Sequence, residues 1–147
     1  MNIPTATLIL TGTIGCVTSY IAVQQWLTAK NKLRLDLFDR RFPVFEATMK
    51  LVSIAIQKGD IPDEARRAFL IATRGAQFLF DQKLQDYCDV LAKEAISVRV
   101  GEQMMDYLPV GDRRTKSAEA WAERMEWFTE QMDEIPKRFA PFLKIHG

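Results

Sequence analysis

The sequence has no charged residue before Lys30, and this gap divides the chain into two parts of different composition. All 20 basic and 19 acidic residues lie at positions 30–147. The formal net charge is only +1, so the chain lacks the strong positive balance that is typical of nucleic-acid-binding proteins. We therefore expect no nucleic-acid partner.

Residues that carry common catalytic and metal chemistry are also scarce. Two cysteines, Cys16 and Cys88, and one histidine, His146, form neither a disulfide framework nor the ligand spacing of a zinc site. Glycine-rich phosphate loops and a nucleophile elbow around a serine are absent. The many carboxylates lack the Glu-x-x-His elements of di-metal bundles and are interpreted as solvated helix faces. The sequence thus predicts no catalytic, cofactor or metal residue, and no enzyme.

The uncharged part is interpreted as a membrane anchor. The segment IPTATLILTGTIGCVTSYIAV, residues 3–23, has the length of about 20 residues that a helix needs to cross a bilayer. Trp26 and then Lys30, Lys32 and Arg34 follow it, as at a cytoplasmic membrane interface. We predict a bacterial inner-membrane anchor at residues 1–29, with the N-terminus outside, residues 30–147 in the cytoplasm, and these four side chains contacting lipid headgroups.

Other interpretations of this segment fit less well. A cleaved secretory signal has a basic start and a small-residue cleavage site, and neither is present. A lipoprotein signal read into TIGC, before Cys16, would begin with threonine and be followed by more apolar sequence. A buried or interfacial helix is the remaining alternative.

Small residues recur at four-residue spacing within the predicted span. Thr11, Gly15 and Ser19 share one ridge of a helix, where a second helix backbone can approach closely. We predict a helix–helix interface at this ridge, although such spacing also arises by chance.

The segment KLRLDLFDRRFPVFEA, which follows the uncharged part, starts with leucines that alternate with charges, as in a strand. Farther on, the apolar residues recur in steps of three and four, which indicates a helix and not a strand. Acid-before-base pairs, Asp36 with Arg40 and Glu46 with Lys50, support the helix. The predicted bundle face consists of Leu35, Phe38, Phe42, Phe45, Met49, Val52 and Ile56. A second apolar column runs beside it and is either buried in the bundle or reserved for a partner.

Three more helices are predicted after Gly59, which is suited to end the first one. The first covers roughly residues 62–74, and the second is capped by Asp81. The third begins at Thr115 or Ser117, after the LPVGDRRTKS loop. The predicted fold class is therefore all-α, with a single N-terminal transmembrane helix followed by an antiparallel cytoplasmic helical bundle.

Three segments resemble a family of small, uncharacterised bacterial proteins. They are KLRLDLFDRRFPVFEA, FLFDQKLQDY and WFTEQMDEIPKRFAPFLKI. The resemblance covers most of the chain after the uncharged part. It implies one N-terminal inner-membrane helix and a helical cytoplasmic part, with no activity or catalytic residue to transfer.

These observations predict a non-enzymatic, membrane-anchored interaction or accessory subunit of a larger complex. Its expected partners are the lipid bilayer and a membrane protein or a second copy of the chain, and no cofactor is expected. A membrane-bound enzyme or ligand-binding bundle that uses carboxylates is the alternative, and a sensor or regulator is a third possibility.

Overall fold

The computed structural model describes the backbone of residues 3–144, and the side chains of residues 11–144 except Met105. His146 therefore lies outside the described residues. The helices are α1 (Ile3–Lys58), α2 (Asp63–Thr73), α3 (Ala76–Leu79), α4 (Gln82–Tyr107) and α5 (Asp112–Leu143). No strand occurs among residues 3–144, which confirms the prediction of an all-helical chain.

The predicted transmembrane helix requires a correction. Within the described part of the chain, no helix combines the length and the apolar character that are needed to cross a membrane. From Thr11 onward, Thr, Ser, Gly and Gln residues interrupt the apolar residues of α1, and the first charged residue is Lys30. The side chains of residues 3–10, which belong to the predicted span 3–23, lie outside the description. On this finding the predicted single-pass helix is wrong, and so is the placement in a bacterial inner membrane.

Residue contacts divide the chain into two compact units, Met1–Leu37 and Phe38–Gly147. In the first unit, every described side chain from Thr11 to Leu33 is exposed. Hydroxyl groups there bond within their own helix: Thr18 Oγ1 donates to the carbonyl of Ile14 at 2.6 Å. This return to the preceding turn satisfies the hydroxyl without a partner from another element.

The second unit contains the hydrophobic core, which three long helices share. Val44, Leu51, Val52 and Ala55 come from α1, Leu84, Cys88, Leu91, Ala95 and Val98 from α4, and Phe128, Ile135 and Phe139 from α5. Their spacing of three and four residues places them along one side of each helix. Thr48 is also buried, and its hydroxyl donates to the carbonyl of Val44 at 2.7 Å, so no polar group is left unbonded there.

The predicted bundle face on α1 is only partly directed into this core. Val52 is fully buried, whereas Leu35 and Ile56 are exposed. Phe38, Phe42, Phe45 and Met49 are half-buried. A row of residues that repeats every 3.5 residues drifts by about 20° per heptad around a straight α-helix. The two ends of such a row therefore turn away from the side of the helix that faces the core. The neighbouring column, which includes Val44 and Leu51, is more deeply buried.

Candidate interaction surface

The helices α2 and α3 form an almost continuous helical segment. Arg74 and Gly75, between them, both have right-handed helical dihedrals. The amide of Arg74 donates to the carbonyl of Ile71 at 3.4 Å, and the amide of Phe78 donates to the carbonyl of Gly75 at 3.1 Å. Because the winding continues, residues separated by three or four positions stay on the same side across the junction.

One side of this segment attaches it to the core of the second unit. Phe69 and Ala76 are buried there, and Ala65 packs against the same cluster. These are inward positions that the sequence predicts from the spacing of small and aromatic residues. The opposite side faces away from the core.

That opposite side carries large apolar side chains that the chain leaves uncovered. Ile71 is 75% exposed, Phe78 is 82% exposed, and Leu70 is also exposed. Together with Arg67 and Arg74 they form a surface that we call the outer strip (Arg67, Leu70, Ile71, Arg74 and Phe78). Contiguous exposed apolar residues on a folded unit are typical of binding surfaces.

The cations of the outer strip differ from the other charges of α2. Asp63 accepts a hydrogen bond from Arg66 at 2.9 Å and lies 3.3 Å from Arg99, so these three side chains form an ion-pair group. Neither Arg67 nor Arg74 has a carboxylate within 4 Å in the described part of the chain. The outer strip is therefore apolar, with two positive charges that the described residues leave without an ion-pair partner.

The predicted helix–helix ridge lies in the first unit. Thr11, Gly15 and Ser19 are exposed, and the hydroxyl of Ser19 donates to the carbonyl of Gly15 at 2.8 Å. A Cβ atom added at Gly15 would meet nothing within 4 Å. The space beside Gly15 is therefore open.

The residues predicted to contact lipid headgroups lie farther along the same unit. Trp26, Lys30 and Lys32 are exposed, and Arg34 is half-buried. The ammonium of Lys30 lies 5.1 Å from the centre of the Trp26 ring, within the range of a cation–π contact. The correction of the membrane span removes the basis for their predicted headgroup role.

A polar group crosses the interface between α4 and α5. The hydroxyl of buried Tyr87 donates to Oε1 of Gln131 at 2.8 Å, and the guanidinium of Arg138 lies 4.4 Å from the Tyr87 ring centre. Burial raises the pKa of Tyr87 to about 12, against the opposing effect of Arg138. Burial also raises the pKa of the Cys88 thiol to about 11, so that at neutral pH it is a protonated core side chain and not a nucleophile.

Carboxylates approach each other where the loop after α1 meets α4. Burial raises the pKa of Glu102, and a hydrogen bond with Asp60 raises it further. Among the side chains that the structure describes, however, no group of three or more His, Cys, Asp or Glu residues is arranged to hold a metal ion.

The comparisons with known proteins leave the family open. No protein family, curated protein or solved structure matches the chain. The resemblance to small bacterial membrane proteins therefore stays an expectation from the sequence.

The outer strip was not found from the sequence. The sequence pattern predicts inward positions at Ala65, Phe69 and Ala76 and a turn in the segment AQFLFDQKL, which contains Phe78. The available signal was the spacing of Arg67, Ile71, Arg74 and Phe78 at four, three and four residues. These residues share one side of a helix only if the helical winding continues through Gly75, and glycine is a residue that commonly ends helices.

Proposed function

We propose that the chain is a non-enzymatic interaction subunit, and that the outer strip docks an acidic, partly apolar segment of another protein. The observation that supports this proposal is the exposure of Ile71 and Phe78, at 75% and 82%, on the helical side that also carries Arg67 and Arg74, for which the described residues supply no ion-pair partner. Exposed aromatic and arginine side chains are the types that contribute most to binding at protein interfaces.

The positive charge of the outer strip favours a different protein, and not a second copy of this chain, as the binding partner. In a symmetric dimer the same patch meets itself, so Arg67 and Arg74 would face their own counterparts. Like charges in an interface are unfavourable, whereas carboxylates of a partner would pair with both guanidinium groups. An acidic segment with aliphatic or aromatic residues at helical spacing matches both features of the outer strip.

Site-specific photocrosslinking tests this proposal. Phe78 is replaced by benzoylphenylalanine, another aromatic residue, in full-length protein produced in its native host. The matched control carries the same residue at Tyr107, an aromatic position that is 88% exposed on a different surface. We expect a specific adduct at position 78 that is absent at position 107 and is lost when Arg67→Glu and Arg74→Glu are added.

Identification of the crosslinked peptide by mass spectrometry decides the outcome. A peptide rich in Asp and Glu from one defined protein supports the proposal. Adducts of equal yield at both positions, adducts with the chain itself, or adducts that survive the charge reversal contradict it.

A further inference from the structure

A cleft lies between α1 and α2, on the side of α2 that faces α1. Its volume is about 260 Å³. The apolar side chains that line it are Ala47, Leu51 and Ile54 from α1 and Ala65, Ala68 and Phe69 from α2. Leu51 and Phe69 are each 1% exposed and belong to the core, so the floor of the cleft is held by residues that cannot easily move.

Charged side chains stand at the rim of this cleft, and their distribution is uneven. Lys58 and Glu64 both lie near the loop that joins the two helices, so the two charges offset each other at that end. Lys50 lies eight positions earlier on α1, about 12 Å along the helix axis, and no acidic residue lines the cleft there. In the described part of the chain, no carboxylate lies within 4 Å of the Lys50 ammonium, and this includes the carboxylate of Glu46.

From this arrangement we infer that the α1–α2 cleft binds a medium-chain carboxylate. The alkyl chain lies over Leu51, Ile54 and Phe69, and the carboxylate lies beside the ammonium of Lys50. Small-ligand sites have this composition, with mostly apolar walls and few polar groups that set the orientation of the ligand. The inference concerns a surface other than the outer strip and does not depend on the proposed function.

The direction of the bound chain follows from the charges at the rim. Near Lys58, Glu64 would repel a carboxylate about as much as the lysine attracts it. Near Lys50 no acidic residue lines the cleft, so the net attraction for a carboxylate is greater at that end. A cationic amphiphile of the same length would have the opposite charge preference, and therefore serves as the control ligand.

Titration of the full-length protein with octanoate tests the inference. Amide shifts in ¹H–¹⁵N spectra are followed at the cleft, and affinity is measured by calorimetry. We expect saturable binding, with shifts concentrated at residues 47–54 and 65–69. Octylamine and acetate should bind much more weakly, because one reverses the charge and the other lacks the alkyl chain.

Two substitutions localise the site. Lys50→Gln should weaken octanoate binding about fivefold, the upper range for one partly exposed ion pair, while Lys83→Gln on α4 should leave it unchanged. Ala68→Leu should fill the cleft and abolish binding, with helix content retained. Equal binding of octylamine, shifts spread over other surfaces, unchanged affinity in Lys50→Gln, or no saturable binding would each overturn the inference.

Discussion

Arg41 shows how much of the fold depends on one side chain. Its Nε–H donates to the carbonyl of Leu79 at 2.9 Å, and Nη1 donates to that of Phe142 at 3.1 Å. These carbonyls belong to the last turns of α3 and α5, where backbone acceptors lack a partner within the helix. The guanidinium also lies 5.8 Å and 5.7 Å from the ring centres of Phe80 and Phe142. Arg41 therefore links α1 to the ends of two other helices.

We expect Arg41→Ala to lower the free energy of unfolding by about 2–3 kcal/mol, because two carbonyls lose a charged donor. Arg67→Ala is the control and should change stability by no more than about 0.5 kcal/mol, since that side chain contacts solvent. Urea unfolding followed by circular dichroism measures both. Similar values for the two variants would show that the bonds of Arg41 contribute little.

Burial of Tyr87 and Cys88 predicts a loss of stability at alkaline pH. Their pKa values are raised from 10.0 to about 12 and from 9.0 to about 11, with burial as the main cause in each case. Between about pH 9 and pH 12 the folded chain thus keeps protons that the unfolded chain releases, so stability falls as pH rises. In the double variant Tyr87→Phe, Cys88→Ala this part of the decline should disappear, a difference on the order of 5 kcal/mol by about pH 12, because each of the two shifts spans about two pH units. Parallel pH profiles of variant and parent would contradict this.

At the level of the elements, helix ends were predicted with mixed success. The predicted cap Asp81 is confirmed, since its carboxylate accepts from the amide of Leu84 at 3.0 Å. Gly59 ends α1 as expected, with a φ of 69° that favours glycine. The predicted start of α5 at Thr115 or Ser117 was wrong. The carbonyl of Gly111 already accepts from the amides of Arg114 and Thr115, so α5 begins at Asp112 without a hydroxyl cap.

The cap at Asp81 gives a prediction for α4. Asp81→Ala should destabilise the protein by about 1 kcal/mol, because the amide of Leu84 loses its acceptor at the helix start. For a chain of this length that corresponds to a melting temperature lower by about 3 °C. Asp89→Ala, at an exposed position inside α4, removes the same charge and should have almost no effect. If scanning calorimetry gave equal shifts for both, the cap would not contribute.

For the whole molecule, hydrophobic periodicity predicted the helical class and much of the core. The spacing of apolar residues in steps of three and four predicts inward positions at Phe69, Leu91, Val98, Phe128 and Ile135, and all five are buried. Periodicity identifies which side of a helix is apolar, but it does not say which of two apolar columns is covered. It therefore does not separate the Val44 column of α1 from the half-buried one, and it indicates the outer strip only if helical winding continues through Gly75. The prediction of a membrane helix was wrong for a related reason: length and absence of charge fit a span, but the many hydroxyl and glycine residues lower the apolar character of the segment.

The bond between Arg41 and Phe142 also has a consequence for biosynthesis. The two residues are 101 positions apart, and Phe139 and Phe142 supply the rings that cover Phe45 and Phe80. A ribosome adds about 5–20 residues per second, so about 5–20 s pass between the addition of Arg41 and that of Phe142. During this interval the nascent chain presents an incomplete aromatic cluster to chaperones and proteases. Arg41 and these rings can therefore complete the cluster only after α5 has been synthesised through Phe142.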